Sequence, residues 1–275
     1  MPLTRMKRYN ISEPFPVPFD FETVVTVDFV KDFFRNYWHY SIYISVTYLI
    51  AIVALQQRMK SRHPYDIRRA FVIWNGFLAS FSICTTLRIV PIIHFGFKHF
   101  TFYDICCDKQ LVDEVPQLAF WGMLFLFSKV WELGDTLMIV LSKKKLMFLH
   151  CYHHVTVLIM SWYSTYRQSS FLLIIAYVNL FVHSFMYTYF TTKCLNIKIS
   201  RRIVMFVTAI QTIQMIIVCA VSCWIYWILI NGHSCDTSVD VLKYYFILFF
   251  SYLYLFLDLF YKSYVCRSDL HKKEH

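Results

Sequence analysis

His150, His153 and His154 stand at i, i+3 and i+4, so a helix through them carries all three imidazoles on one face. Asn179, His183 and Tyr187 follow at intervals of four, with Met186 and Tyr189 beside them. Upstream, Lys129, Glu132, Asp135 and Thr136 fall at i, i+3, i+6 and i+7, and downstream Thr208, Gln211 and Gln214 recur every third residue. Two chemistries use such a set. The first is metal binding, but di-iron membrane enzymes collect histidines from several such boxes. Here one box plus His183 offers four ligands, enough for a single metal at most. The second is nucleophilic and acid-base catalysis by neutral imidazole, which suits thioesters and needs no metal. A neighbouring histidine can orient the ring or take its proton, and an amide such as Asn179 can donate to an enolate or carbonyl oxygen.

The elements that must position these residues are membrane helices. The chain has 275 residues, of which 58% are hydrophobic, 20% aromatic and 16% charged, against roughly a quarter charged in soluble domains. A crossing helix needs about 20 apolar residues. Seven stretches qualify: 37–55, 70–87, 117–141, 146–165, 171–191, 203–229 and 241–261. The expected fold is an all-α bundle of seven transmembrane helices enclosing a buried polar site. Residues 1–36 form a short head with no removable signal peptide, 37–261 the membrane domain and 262–275 a tail.

The balance of 27 Lys and Arg against 17 Asp and Glu would suit nucleic acid in a soluble protein. Here the basic residues cluster on alternate loops, which is an orientation signal, so no nucleic-acid partner is expected. Arg58, Lys60, Arg62, Arg68 and Arg69, then Lys143 to Lys145, then Lys193, Lys198, Arg201 and Arg202 share one side with the tail. The opposite loops are expected to hold Arg88, Lys98, Lys109 and Arg167. The rule puts the tail in the cytosol and the amino terminus across the membrane. On that far side lie a glycosylation sequon at Asn10 and three cysteines, Cys106, Cys107 and Cys235, where one disulfide from Cys235 to either neighbour is expected. Lys272 and Lys273 resemble a dilysine retrieval signal of the endoplasmic reticulum.

Ionisable groups inside membrane spans are costly and point to function. Counting about 1.5 Å per residue from the basic loops places the histidines, Asp135 and Gln211 in a common layer about 8 to 15 Å into the bilayer. Each stripe also has a structural reading. Thr208, Gln211 and Gln214 could glue helices together, and Lys129 with Glu132 could be an ion pair that fixes packing. A seven-helix receptor would share the span count but would not need three histidines on one helical face.

Together, Lys129-x-x-Glu132-x-x-Asp135-Thr136, His150-x-x-His153-His154, Asn179-x-x-x-His183-x-x-Met186-Tyr187-x-Tyr189 and Thr208-x-x-Gln211-x-x-Gln214 resemble, in order, the signature motifs of the very-long-chain fatty acid elongases. Two positions depart: Phe190 where the family often has a second tyrosine, and Met215 where it often has phenylalanine. The resemblance implies a 3-ketoacyl-CoA synthase of the endoplasmic reticulum, an acyltransferase that uses acyl-CoA and malonyl-CoA and no tightly bound cofactor, with an apolar tunnel among the seven transmembrane helices for the acyl tail. It implies a nucleophilic His153, with His183 and Asn179 assisting decarboxylation and His150 and His154 orienting or deprotonating. Lys129, Glu132, Asp135, Thr136, Tyr187, Gln211 and Gln214 would bind substrate or hold the helices. It further implies membrane lipid, a ketoacyl reductase, a dehydratase and an enoyl reductase as partners, and a homodimer. The stretch from Phe148 to Leu158 with Ser161-Trp162-Tyr163-Ser164 looks most like the branch acting on saturated and monounsaturated long-chain acyl-CoAs.

Overall fold

The computed structural model describes residues 16–265; Asn10, Lys272 and Lys273 lie outside them. Among the described residues the chain is all helix and turn, with no strand. A 3-10 turn (Asp20–Thr23) leads into α1 (Val27–Tyr37), α2 (Tyr40–Met59) and α3 (Arg68–His99). Two short helices, α4 (Phe102–Cys107) and α5 (Gln110–Glu114), precede α6 (Pro116–Trp131), α7 (Gly134–Leu141), α8 (Phe148–Tyr166), α9 (Leu172–Cys194), α10 (Arg201–Ile230) and α11 (Val239–Phe260).

Among the described residues, five helices are long and apolar enough to cross a membrane: α2, α3, α9, α10 and α11 with its following turn. They correspond to five of the seven expected stretches. Residues 117–141, expected as one helix, are two, because the hydrogen-bond ladder tightens at Glu132 and Leu133. The Leu133 amide bonds to Val130, Asp135 to Glu132 and Thr136 to Leu133, each only three residues back. Gly134 opens the second half. A Cβ there would stand 2.5 Å from the Trp74 ring, so the glycine admits α3 to close approach. The helix α8 has 19 residues, but its three histidines dilute its apolar character.

The polarity of the molecule is that of a chain dissolved in lipid. Ile50, Ile73, Leu87 and Ile247 are each more than 60% exposed, while Lys129, Glu132, Asn179, His183 and Gln214 are buried. Helix α3 packs along α9, α10 against α9 and α11, and α8 against α1, α2, α6 and α11. The two main apolar clusters flank the polar residues. One joins α1, α2, α3, α6 and α8, and the other joins α9, α10 and α11 to α4.

Two expectations about the loops change. The helix α3 runs on to His99, so Arg88 and Lys98, expected in a loop, stand on it together with His94 and His99. The reason is a partner from the head of the chain. Arg88 donates to both carboxylate oxygens of the fully buried Glu22 (2.7 and 2.6 Å) and to the Val17 carbonyl (2.8 Å). Trp121 Nε1 (2.6 Å) and the Phe19 amide (2.8 Å) donate to the same carboxylate. With its charge met, Arg88 no longer ends the helix, and Ile89, Ile92 and Ile93 continue the buried face. The second change is α1. Its charges at Asp28, Lys31, Asp32 and Arg35 hide an amphipathic helix whose Phe34 packs on Trp162 at 5.3 Å between ring centres.

Burial opposes the Glu22 charge, but the bonds from Arg88, Trp121 and the Phe19 amide together hold its carboxyl below the usual range. The clasp therefore stabilises fully above the unfolded carboxyl value of about 4.3. That contribution is lost as pH falls through the lower folded value. Arg88→Ala strands the Glu22 carboxylate and is expected to cost about 3 kcal/mol at neutral pH in detergent unfolding. At acid pH the variant and the parent should converge.

The structure joins Cys107 to Cys235. This ties α4 to the loop between α10 and α11, where the Asp236 amide also bonds to the Cys107 carbonyl (2.7 Å). Cys106 is buried beneath, and burial pushes its thiol up to about 12.

Candidate active site

A cavity of about 460 Å³ receives the chemistry-bearing faces of α8, α9 and α10. His150, His153 and His154 line it from α8, Asn179, His183 and Tyr187 from α9, and Thr208, Gln211 and Gln214 from α10. The helical spacings account for this, since each set occupies one face of its helix. Glu132 and Asp135 reach the same cavity from the break between α6 and α7. The tighter turn there rotates the stripe, so its members serve different walls.

Lys129 and Thr136 do not line the cavity; they hold its wall from behind. Lys129, 1% exposed, donates to Glu132 Oε1 (2.7 Å) and to Asn179 Oδ1 (2.8 Å). That fixes the Asn179 amide, because an ammonium has only donors. The amide nitrogen then faces His183 Nε2 at 3.1 Å. On hydrogen-bond logic Nε2 accepts, so the His183 proton sits on Nδ1, which faces Glu132 Oε1 at 3.6 Å. Lys129, Glu132, His183 and Asn179 thus close a ring of four side chains drawn from two elements.

A second relay sets His150. The Tyr48 hydroxyl donates to Thr136 Oγ1 (2.7 Å), whose own proton is free for His150 Nε2 at 2.9 Å. Asp135 braces the opposite side, accepting from Trp74 Nε1 (2.7 Å) and from the Tyr187 hydroxyl (3.0 Å). The stripe from Lys129 to Thr136 therefore locks α2, α3, α8 and α9 together. Sequence reasoning missed Tyr48 and Trp74 because tyrosine and tryptophan are common throughout this chain and carry no spacing signal of their own.

The three imidazoles of α8 are close. The ring centres of His150 and His154 are 4.4 Å apart and those of His153 and His154 are 5.5 Å apart. His153 is half-buried, its ring centre 5.2 Å from that of Tyr252 on α11, another residue that periodicity did not single out. Among the described residues, His154 Nδ1 and Glu132 Oε2 are buried without a hydrogen-bond partner. Gln211 and Gln214 make no hydrogen bond to a neighbouring helix among those residues, whereas Thr208 lies 3.1 Å from the Tyr264 hydroxyl. No three His, Cys, Asp or Glu side chains among the described residues converge in an arrangement that could hold a metal ion.

A narrower cavity of about 40 Å³ adjoins the first. The two share His153, Asn179, Gln214 and Met215, so His153 stands at the junction. Beyond it the lining is mainly apolar, with Val157, Met160, Ile175, Val218 and Phe249.

The sequence model described as "ELO: GNS1/SUR4 family" matches residues 33–272. The chain is 34% identical over 269 residues to "Putative fatty acid elongase 4" of Caenorhabditis elegans, covering 97% of this chain and 90% of the relative. It is 35% identical over 250 residues to "Very long chain fatty acid elongase 6" of Drosophila melanogaster, covering 90% and 79% respectively. Against "Very long chain fatty acid elongase 3" of Mus musculus the identity is 34% over 253 residues, covering 90% of each chain. With a family match over most of its length and relatives at this level, the chain belongs to the ELO (GNS1/SUR4) family.

Proposed function

We propose that this protein is the condensing enzyme of fatty acid elongation, joining a long-chain acyl-CoA to malonyl-CoA. The observation that carries the reading is the position of His153, where a polar cavity lined by four histidines meets an apolar one. A thioester head and an acyl tail need those two environments side by side. The elongase names of the relatives support the same class.

In this mechanism an imidazole nitrogen of His153 attacks the acyl thioester carbonyl. The C–S bond breaks and CoA leaves as the thiol, taking the imidazole proton by way of His154 or His150. Malonyl-CoA then loses carbon dioxide, and the electron pair of the broken C–C bond remains as an enolate. The second N–H of Asn179, the one not given to His183, is placed to donate to that oxygen. The enolate carbon attacks the acyl-imidazole and the C–N bond breaks. His153 recovers a proton from solvent, leaving 3-ketoacyl-CoA. No tightly bound cofactor takes part.

The setting belongs to the same proposal. The helices α6 and α7 together make one kinked crossing and α8 another, giving seven spans over 37–261. Residues 1–36 and Asn10 are then lumenal, and the tail with Lys272 and Lys273 is cytosolic and holds the protein in the endoplasmic reticulum. The Cys107–Cys235 link falls on the lumenal side, which permits oxidation. A reductase, a dehydratase and an enoyl reductase complete each cycle, and a homodimer is the working form. Saturated and monounsaturated acyl-CoAs are the substrates.

Microsomes containing the protein, given radiolabelled malonyl-CoA and a panel of acyl-CoAs, are expected to form 3-ketoacyl product whether or not a strong chelator is present. Absence of product, or activity lost to the chelator and restored by iron, would overturn the reading.

A further inference from the structure

On the outer surface of the bundle, α3, α9 and α10 enclose a groove of about 700 Å³. It begins at the loop after α9, where Ile197, Lys198 and Ile199 line it, and runs along α9 from Thr192 to Phe181. Ile83, Thr86 and Leu87 of α3 close its deep end, where Thr86 Oγ1 lies 3.4 Å from Ser184 Oγ. Phe185 of α9 and Phe206 of α10 meet edge to face in its wall, 5.8 Å between ring centres. Leu87, Phe181, Ile197 and Ile203 are each more than 40% exposed, so the groove opens toward the lipid.

The depth of the groove fits one leaflet. From Thr192 to Phe181 the helical rise is about 17 Å, against about 15 Å for half of a hydrocarbon core about 30 Å thick. Its charge sits at one end. Lys198 lines the groove, and Arg201 and Arg202 open α10 just ahead of Ile203, which lines it too. All three basic residues are exposed, and among the described residues none of them pairs with a carboxylate. One reason is in the sequence: residues 136–235 contain no Asp or Glu. Arg68, by contrast, is committed to the Cys194 carbonyl (2.6 Å), which ties down the loop that carries Lys198. An apolar slot one leaflet deep with unmatched cations at its headgroup end complements a lipid that is apolar below and anionic above. Basic pockets between membrane helices on the cytosolic side hold such headgroups.

We propose that this groove seats an acyl chain of an anionic phospholipid of the cytosolic leaflet, whose phosphate is held by Lys198, Arg201 and Arg202. A zwitterionic lipid would fill the same slot, but its headgroup brings its own cation and leaves the three basic side chains less well matched. Tyr189 and Val207 line both this groove and the polar cavity, so the lipid braces the outer wall of the candidate active site. The binding requires neither turnover nor a particular orientation of the chain in the membrane, so its test is separate from that of the condensing chemistry.

Native mass spectrometry of the intact chain in detergent micelles, titrated with phosphatidylserine or phosphatidylcholine, reads the site directly. The parent is expected to retain one phosphatidylserine per chain, bound about ten-fold or more tightly than phosphatidylcholine. Lys198→Glu replaces an attraction with a repulsion and should erase that preference while phosphatidylcholine retention stays at the parental level. Thr188→Trp fills the groove from α9, at an exposed position whose hydroxyl bonds back to the Ser184 carbonyl, and should release both lipids. Parental melting temperatures in micelles without added lipid establish that both variants fold. Equal retention of the two lipids by the parent, or a preference for phosphatidylserine that survives either variant, overturns the proposal. Displacement of the retained phosphatidylserine by palmitoyl-CoA overturns it as well, because the groove would then be a port for substrate.

Discussion

His153→Ala is expected to reduce 3-ketoacyl product by about 10⁴-fold or to background, as loss of a nucleophile does when the remaining site still binds substrate. Stability should change little by comparison, because His153 makes none of the side-chain hydrogen bonds that tie His150 to Thr136 or His183 to Asn179. The decisive readout is a half-reaction. The intact protein given radiolabelled acyl-CoA alone should release free CoA thiol and retain label on the protein, in an amount set by the enzyme present. His153→Ala should do neither. Label retained by the variant would move the nucleophile to another histidine. An intact protein that releases no thiol until malonyl-CoA arrives would replace the two-step course with direct condensation.

The site was largely legible in the sequence because its residues repeat at helical spacing and are out of place in apolar helices. Three such stripes, on α8, α9 and α10, needed only a shared cavity to meet. What remained hidden depends on contacts between distant segments. Arg88 read as the end of a helix because its partner, Glu22, sits 66 positions earlier in an unremarked head segment. Helix α1 lay almost wholly within the segment read as a short head, since a single buried turn around Phe34 gives too little apolar periodicity. The break at Glu132 and Leu133 carries no proline, and the close approach of Trp74 to Gly134 is a tertiary fact. Cys106 and Cys107 are adjacent and chemically alike, so only helix phase decides that Cys107 meets Cys235 while Cys106 points inward. Spacing also could not tell lining from bracing. Lys129 shares its stripe with Glu132 yet lies behind the wall.

That bracing position makes Lys129 the residue whose loss should do most damage to the fold and the chemistry together. Lys129→Met leaves the Glu132 carboxylate buried without its cation, which costs about 3–5 kcal/mol when one partner of such a pair is removed. It also frees Asn179 to turn, so the His183 tautomer is no longer imposed. Lys129→Met is therefore expected to lower both thermal stability in detergent and product formation, the latter at least 100-fold. The double variant Lys129→Met with Glu132→Leu separates the two effects. With no charge stranded, it should regain most of the lost stability, because an apolar pair of similar volume often replaces a buried ion pair at little cost. Activity should stay low, since nothing then holds Asn179 Oδ1 or faces His183 Nδ1. Recovery of activity with stability would reduce the ring to a packing device. Stability restored without activity would show that the buried charges serve to aim His183 and Asn179 at the cavity.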